Sequence, residues 1–205
     1  MSVVIAIKDD DKVYIAADSL CSSGSSKVTL SNPNNYKMWK TKGLDNSIMC
    51  HTGNCRDIGI VRFNNFIPEA RALTGDIDMD FVQGQMIYDI FDALDSHGFL
   101  ARDDDGPRMT SSFLFTYNDK IWELSSCSYV IEVDDYTAIG SGRDAAMGSL
   151  AGTVGEPIEN RLIKAIVAAS SIDMSVGYPI VITDTESCEF KLYDKNDIKS
   201  KLNTN

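Results

Sequence analysis

The stretch Ser2-Val3-Val4-Ile5-Ala6-Ile7-Lys8-Asp9-Asp10-Asp11-Lys12-Val13-Tyr14-Ile15-Ala16-Ala17-Asp18-Ser19 decides the fold. Two apolar runs, residues 3–7 and 13–17, flank the turn-forming Asp9-Asp10-Asp11, which predicts a hairpin of two buried strands. Downstream, residues 22–26 (Ser-Ser-Gly-Ser-Ser) read as a loop, 28–30 as a short strand and 31–35 as a turn. Residues 36–40 and 47–52 predict two more strands, joined across Gly43-Leu44-Asp45-Asn46.

The pattern then changes to helical spacing. Asn54 suits an N-cap for a helix running towards residue 66, with Ile58 and Val61 on one face. Phe81, Val82, Met86, Ile90, Phe91 and Leu94 mark a helix over 81–97, with Asp80 as its cap and Gly98 as its stop. Residues 102–107, carrying Asp103-Asp104-Asp105, read as a loop. Strands resume at 112–117, 121–124, 128–133 and 136–139. Helices follow at 144–150 and 157–171, the second with Ile158, Leu162, Ala165, Ile166 and Ala169 on one stripe and Pro157 in its first turn. Strands at 180–183 and 190–193 precede a polar tail from about residue 194. Strand blocks and helix pairs succeed one another without βαβα alternation, which disfavours a doubly wound parallel sheet. Two packed sheets, each covered outside by a helix pair, bury every apolar face. The expectation is one α+β domain over residues 1–205, a four-layer αββα sandwich.

Composition narrows the function classes. The 205 residues suit one domain, and 43% apolar with 24% charged is a globular balance. Nineteen Lys and Arg against 30 Asp and Glu give a net charge of −11, with no clustered basic face for nucleic acid. No apolar run reaches membrane-spanning length, and the N-terminus lacks the basic start and apolar core of a signal peptide. Cys21, Cys50, Cys55, Cys127 and Cys188 are odd in number and irregularly spaced, which favours free thiols and a cytoplasmic setting. There is no phosphate-binding lysine loop, no dinucleotide fingerprint, no nucleophile elbow and no zincin helix. No cofactor or metal is expected. Of the two histidines, His97 ends a helix and suits its dipole.

A different economy of parts remains. Ser2 follows Met1, and serine is small enough to permit removal of that methionine. Removal leaves a hydroxyl and an α-amine on one residue. The amine, with an ordinary pKa of about 7.7–8.0, can serve as the base for its own hydroxyl.

At this point the chain resembles the proteasome β-subunit/HslV family, the threonine-type N-terminal-nucleophile hydrolases, over most of its length from Ser2 to about Ile182. The opening hairpin ending Ala16-Ala17-Asp18-Ser19 is similar to the family's nucleophile strand and its A-A/G-D-S/G signature. Lys37-Met38-Trp39-Lys40 resembles its K-h-h-K strand, and Cys50-His51-Thr52-Gly53-Asn54 its G-F-A-G-S turn. Ile139-Gly140-Ser141-Gly142, followed by Ala145-Ala146-Met147-Gly148, resembles I-G-S-G…A-x-G. Ile172-Asp173-Met174-Ser175-Val176-Gly177 stands where the family has R-D-x-x-S-G.

The resemblance implies a peptidase acting on polypeptide. Ser2 Oγ would attack the carbonyl, its amine would take the proton, and Lys37 as an ammonium held by Asp18 would favour the developing charge. Gly53 N–H would form the oxyanion hole, at a place where a side chain would obstruct substrate. Ser141 and Asp173 would orient the amine, and His51, with Cys21 nearby, would line a specificity pocket. It further implies a homo-oligomeric ring or related assembly, fed by an ATPase unfoldase. Departures stand beside the likeness: Ser2 replaces threonine, Val3 replaces a frequent second threonine, and Val176 replaces a small hydroxyl residue near the amine. A non-catalytic scaffold or binding subunit of the same fold, and an amidohydrolase acting on small amides, are the alternatives.

Overall fold

The structure, a computed structural model, describes residues 2–23 and 25–203. Met1, on which the expected exposure of Ser2 depends, lies outside the described residues.

The opening hairpin forms as its pattern requires. Strands β1 (Val4–Asp9) and β2 (Lys12–Asp18) pair antiparallel, Val4 against Ala17 through Asp9 against Lys12. They are central in a sheet that also contains β12 (Tyr136–Ile139), β13 (Ile180–Asp184) and β14 (Lys191–Tyr193), in the order β12-β1-β2-β13-β14. A second sheet holds β5 (Met38–Lys40), β6 (Ser47–Thr52), β9 (Ser112–Tyr117), β10 (Lys120–Leu124) and β11 (Val130–Val133), ordered β11-β10-β9-β6-β5.

The alternation of β1 sets the layers. Val4 and Ala6 face the other sheet, where they pack with Ile48, Cys50, Leu114 and Ile121. Val3, Ile5 and Ile7 face outward onto α5 (Arg143–Gly152) and α6 (Ile158–Ile172), through Leu150, Leu162 and Ile166. Successive strand residues point to opposite faces, so a strand apolar on both sides must sit between two layers. On the far side, Phe113, Phe115 and Trp122 of the second sheet pack against α3 (Met79–Phe81) and α4 (Ile87–Ser96), which are joined by a π-helical turn over Val82–Met86. Helix, sheet, sheet, helix is therefore the order of layers, as the sequence predicts.

Local departures have local causes. The cap of the helix beginning at Met79 is Asp78, whose carboxylate accepts from Phe81 N at 2.9 Å, rather than Asp80. The helix begun by Asn54, α1 (Cys55–Phe63), stops short of residue 66, and a further helix, α2 (Glu69–Thr74), follows it. The stretch 102–107 is a hairpin of β7 (Ala101–Asp103) and β8 (Gly106–Arg108), closed by an Arg108–Asp103 ion pair at 2.8 Å. β3 (Leu20–Ser23) and β4 (Ser26–Thr29) form a separate ribbon where a loop and one strand were expected. The tail after residue 194 is helical: α7 (Lys195–Asn203) docks on the first sheet's helix layer through buried Ile198.

Candidate active site

The site is assembled at the N-terminal end of β1. Ser2 is buried, and its backbone is held on both sides: its N–H donates to Ser141 Oγ at 3.1 Å and its carbonyl accepts from Gly142 N at 3.2 Å. Gly140 makes that approach possible. It has φ +96°, and a Cβ there would come within 2.2 Å of the Ser2 carbonyl oxygen. The Gly-Ser-Gly turn thus clamps the first residues of β1.

Asp18, at the end of β2, uses both carboxylate oxygens. Oδ1 accepts from Val3 N at 3.0 Å and from Lys37 Nζ at 2.6 Å; Oδ2 accepts from Leu20 N and from Gly177 N, each at 3.1 Å. Four donors fix the carboxylate in a buried position. Lys37 Nζ also donates to Leu20 O at 2.7 Å. Burial lowers the Lys37 pKa below its ordinary value, and the Asp18 carboxylate works against that lowering. The pair is a buried ammonium–carboxylate contact with its geometry satisfied.

On the other side of Ser2, the Ser141 hydroxyl lies 3.4 Å from Ser175 Oγ, which donates to Asp173 Oδ1 at 2.5 Å. Ser2 N, Ser141, Ser175 and Asp173 therefore make a continuous hydrogen-bonded run ending on a carboxylate. Partial burial acts to raise the Asp173 pKa, but the hydrogen bonds from Ser141 and Ser175 hold it below the usual carboxylate range. Ser175 is a residue the sequence reading missed. The hydroxyl expected at 176 is present one position earlier, while Val176 is buried in the core.

His51 lies on β6, its ring 5.2 Å from that of Phe113. Burial above all, with the Lys37 and Arg62 cations adding, pushes its pKa down to about 3. Its Nε2 is 3.1 Å from Ser111 Oγ. That hydroxyl also donates to Asp57 Oδ2 at 2.6 Å and accepts from Asn54 N at 2.9 Å, and the lowered pKa keeps the imidazole neutral. Ser111 and Asp57 were not singled out in the sequence, where a serine before a strand and an acid in a helix's first turn are both ordinary. Together they brace the turn holding Gly53.

Gly53 has φ +121°, and a Cβ there would meet Ser111 Cα at 2.7 Å and Thr110 O at 2.9 Å. The need for glycine is thus met first by the protein's own backbone, not by space kept for substrate as the sequence suggested.

Ser2, Lys37, His51, Gly53 and Cys21 line one cavity of about 350 Å³, together with Cys55, Ile58 and Arg62 of α1. Asp18, Ser141 and Asp173 stand behind it and act on its lining through the hydrogen bonds above. Arg62 ties α1 to the chain leading into Lys37: its guanidinium donates to the carbonyls of Asn34 and Tyr36 and lies over the Trp39 ring. A larger hollow of about 1020 Å³, around Trp39, Leu44 and Tyr117, contains none of the candidate residues. Among the described residues no cluster of His, Cys, Asp or Glu could hold a metal ion, and no helix is long and apolar enough to cross a membrane.

The four-layer fold is that of the proteasome β-subunit/HslV family. The Gly-1 mutant of Anbu from Hyphomicrobium sp. strain MC1 superposes with a TM-score of 0.72 at 14% identity, over 100% of this chain and 93% of that one. BPH from Thiobacillus denitrificans, in complex with epoxomicin, gives 0.69 at 20% identity over 89% and 97%. The eukaryotic HslV from Trypanosoma brucei gives 0.64 at 16% identity over 89% and 98%. At these identities the likeness is one of fold. No family model and no curated protein matches the sequence.

Proposed function

We propose that the protein is a peptidase that hydrolyses peptide bonds with Ser2 as an N-terminal nucleophile, exposed by removal of Met1. The observation that carries the reading is the convergence on Ser2 of two independent polar systems. Lys37, held by Asp18, supplies a buried cation in the cavity that Ser2 lines; Asp173, through Ser175 and Ser141, reaches the Ser2 nitrogen. A structural salt bridge alone does not account for the second system.

In the proposed reaction the freed α-amine accepts the hydroxyl proton and Ser2 Oγ attacks the scissile carbonyl. The Gly53 N–H receives the oxyanion, and the Lys37 ammonium favours the negative charge developing in the transition state. The amine then returns the proton to the leaving nitrogen. Water hydrolyses the ester on Ser2 with the same amine as base. His51 and Cys21 contact the bound side chain. The neutral His51 is a wall of the pocket, not a base.

The remaining expectations belong to the same proposal. The chain is one domain, active as a homo-oligomeric ring or related assembly in the cytoplasm, with polypeptide delivered by an ATPase unfoldase. The likeness to HslV and BPH supports the assembly and the polypeptide substrate.

Turnover of fluorogenic peptides by the purified chain, with its N-terminal peptide mapped by mass, tests the reading. Loss of Met1 and a fall of at least about 1,000-fold in kcat/KM for Ser2→Ala are expected. Retained Met1 without turnover would favour the scaffold alternative, and turnover unchanged in Ser2→Ala would reject Ser2 as the nucleophile.

A further inference from the structure

The cavity in front of Ser2 carries a feature that peptide hydrolysis does not use. Cys21 on β3 and Cys55 at the first position of α1 bring their sulphurs to 3.8 Å across two elements that both line it. A disulfide needs about 2.05 Å, so a side-chain movement of about 1.8 Å joins them. Cys55 is exposed and Cys21 half-buried, so a small oxidant reaches both. The other thiols do not share this arrangement. Cys50 is buried between the sheets, Cys127 touches Ser126 Oγ, and Cys188 donates to Thr185 O.

We propose that Cys21 and Cys55 form a reversible disulfide in the lining of the Ser2 cleft, a thiol switch that shuts the cleft to polypeptide under oxidising conditions. The cleft-closing role rests on the peptidase reading; formation of the bond does not. Because Cys21 on β3 and Cys55 on α1 both line the cavity, the bond ties those two elements together and removes the give with which the lining admits an extended chain to Ser2 and Lys37.

The oxidant is a low-molecular-weight disulfide such as glutathione disulfide. One cysteine thiolate attacks it, forming a mixed disulfide and releasing one glutathione thiolate. The second cysteine, deprotonated, attacks the protein sulphur of that mixed disulfide and releases the second glutathione. Two protein thiols are oxidised, one glutathione disulfide is reduced to two thiols, and the two protons pass to the glutathione sulphurs. The helix N-terminus favours the thiolate at Cys55, against the burial that raises its pKa. An exposed disulfide of this kind stays within reach of reductant, which makes the switch reversible.

The test uses the full chain equilibrated in glutathione buffers of increasing oxidation. Non-reducing peptide mapping should show the Cys21–Cys55 cross-link as the principal disulfide, reversed by dithiothreitol. Peptide turnover should fall about tenfold or more on oxidation, and in Cys55→Ser the ratio of oxidised to reduced turnover should stay near one. The proposal is overturned if Cys127 is modified while no Cys21–Cys55 cross-link forms, or if the cross-link is complete and turnover is unchanged. Absence of turnover in the reduced wild-type chain would sink the peptidase reading instead. Amide exchange over residues 55–63 then decides: slowed exchange in the cross-linked chain supports the clamp, and unchanged exchange overturns it.

Discussion

At the scale of single residues, Asp18 organises more than its charge suggests. Its carboxylate fixes Val3 N, Leu20 N and Gly177 N as well as Lys37, so it joins β1, β3 and the segment before β13 around one point. Asp18→Asn keeps the shape but leaves the Lys37 cation buried without its partner, a change expected to cost about 3–5 kcal/mol. Urea denaturation measures it, and the double variant Asp18→Asn/Lys37→Met should recover part of the loss. His51 gives a pH prediction. Its pKa is lowered on folding from 6.5 to about 3, so the unfolded chain takes up a proton that the folded chain refuses. Stability is therefore complete above about pH 6.5 and declines as pH falls towards 3. Between pH 7 and pH 5 the loss should be about 2 kcal/mol, and His51→Gln should abolish that component in urea titrations at the two pH values. Asp18, Lys37, Gly53 and Ser141 were legible because each sits in a short pattern with fixed spacing. Ser111 and Asp57 were not, because they belong to no such pattern and their partners lie 54 to 60 residues away in sequence, and Ser175 was passed over because the hydroxyl was expected at position 176.

At the scale of elements, the Gly-Ser-Gly turn at the end of β12 and the opening strand β1 form one unit. Gly140→Ala combines a left-handed φ with a contact against Ser2 O that nothing can yield, and should destabilise the protein by at least about 2 kcal/mol. Thermal unfolding measures the stability, and peptide turnover should fall with it. Elements were legible where a buried face imposed a period. β6, β9 and β12, buried along nearly their whole length, fall on the residues expected of them. α2 has no buried residue and so leaves no stripe to read, while every residue of β4 is exposed. α7 was read as a tail because its face is little more than Ile198 and Leu202, set in a polar sequence.

At the scale of the molecule, the layer between the sheets couples the two halves. Leu114 is fully buried there, among Val4, Ile48 and Ile121, and Leu114→Ala should cost about 2–5 kcal/mol. Leu73, 80% exposed on α2, should cost no more than about 0.5 kcal/mol when replaced by alanine. Both tryptophans, Trp39 and Trp122, lie on the second sheet, so their fluorescence reports that half while far-ultraviolet circular dichroism reports the whole. A single domain predicts coincident urea transitions by the two probes; separated transitions would divide the chain. The layered architecture was legible because both strands of the opening hairpin are apolar on both faces, and such strands have no stable place except between layers. The proposed activity turns on the second residue. The most direct measurement is the mass of the purified chain after exposure to a peptide epoxyketone, which closes its ring only on a residue offering both a hydroxyl and a free amine. The account predicts a chain lacking Met1 with one adduct on Ser2, absent in Ser2→Ala. A chain that keeps Met1, or one that loses it and still takes no adduct at Ser2, would contradict it.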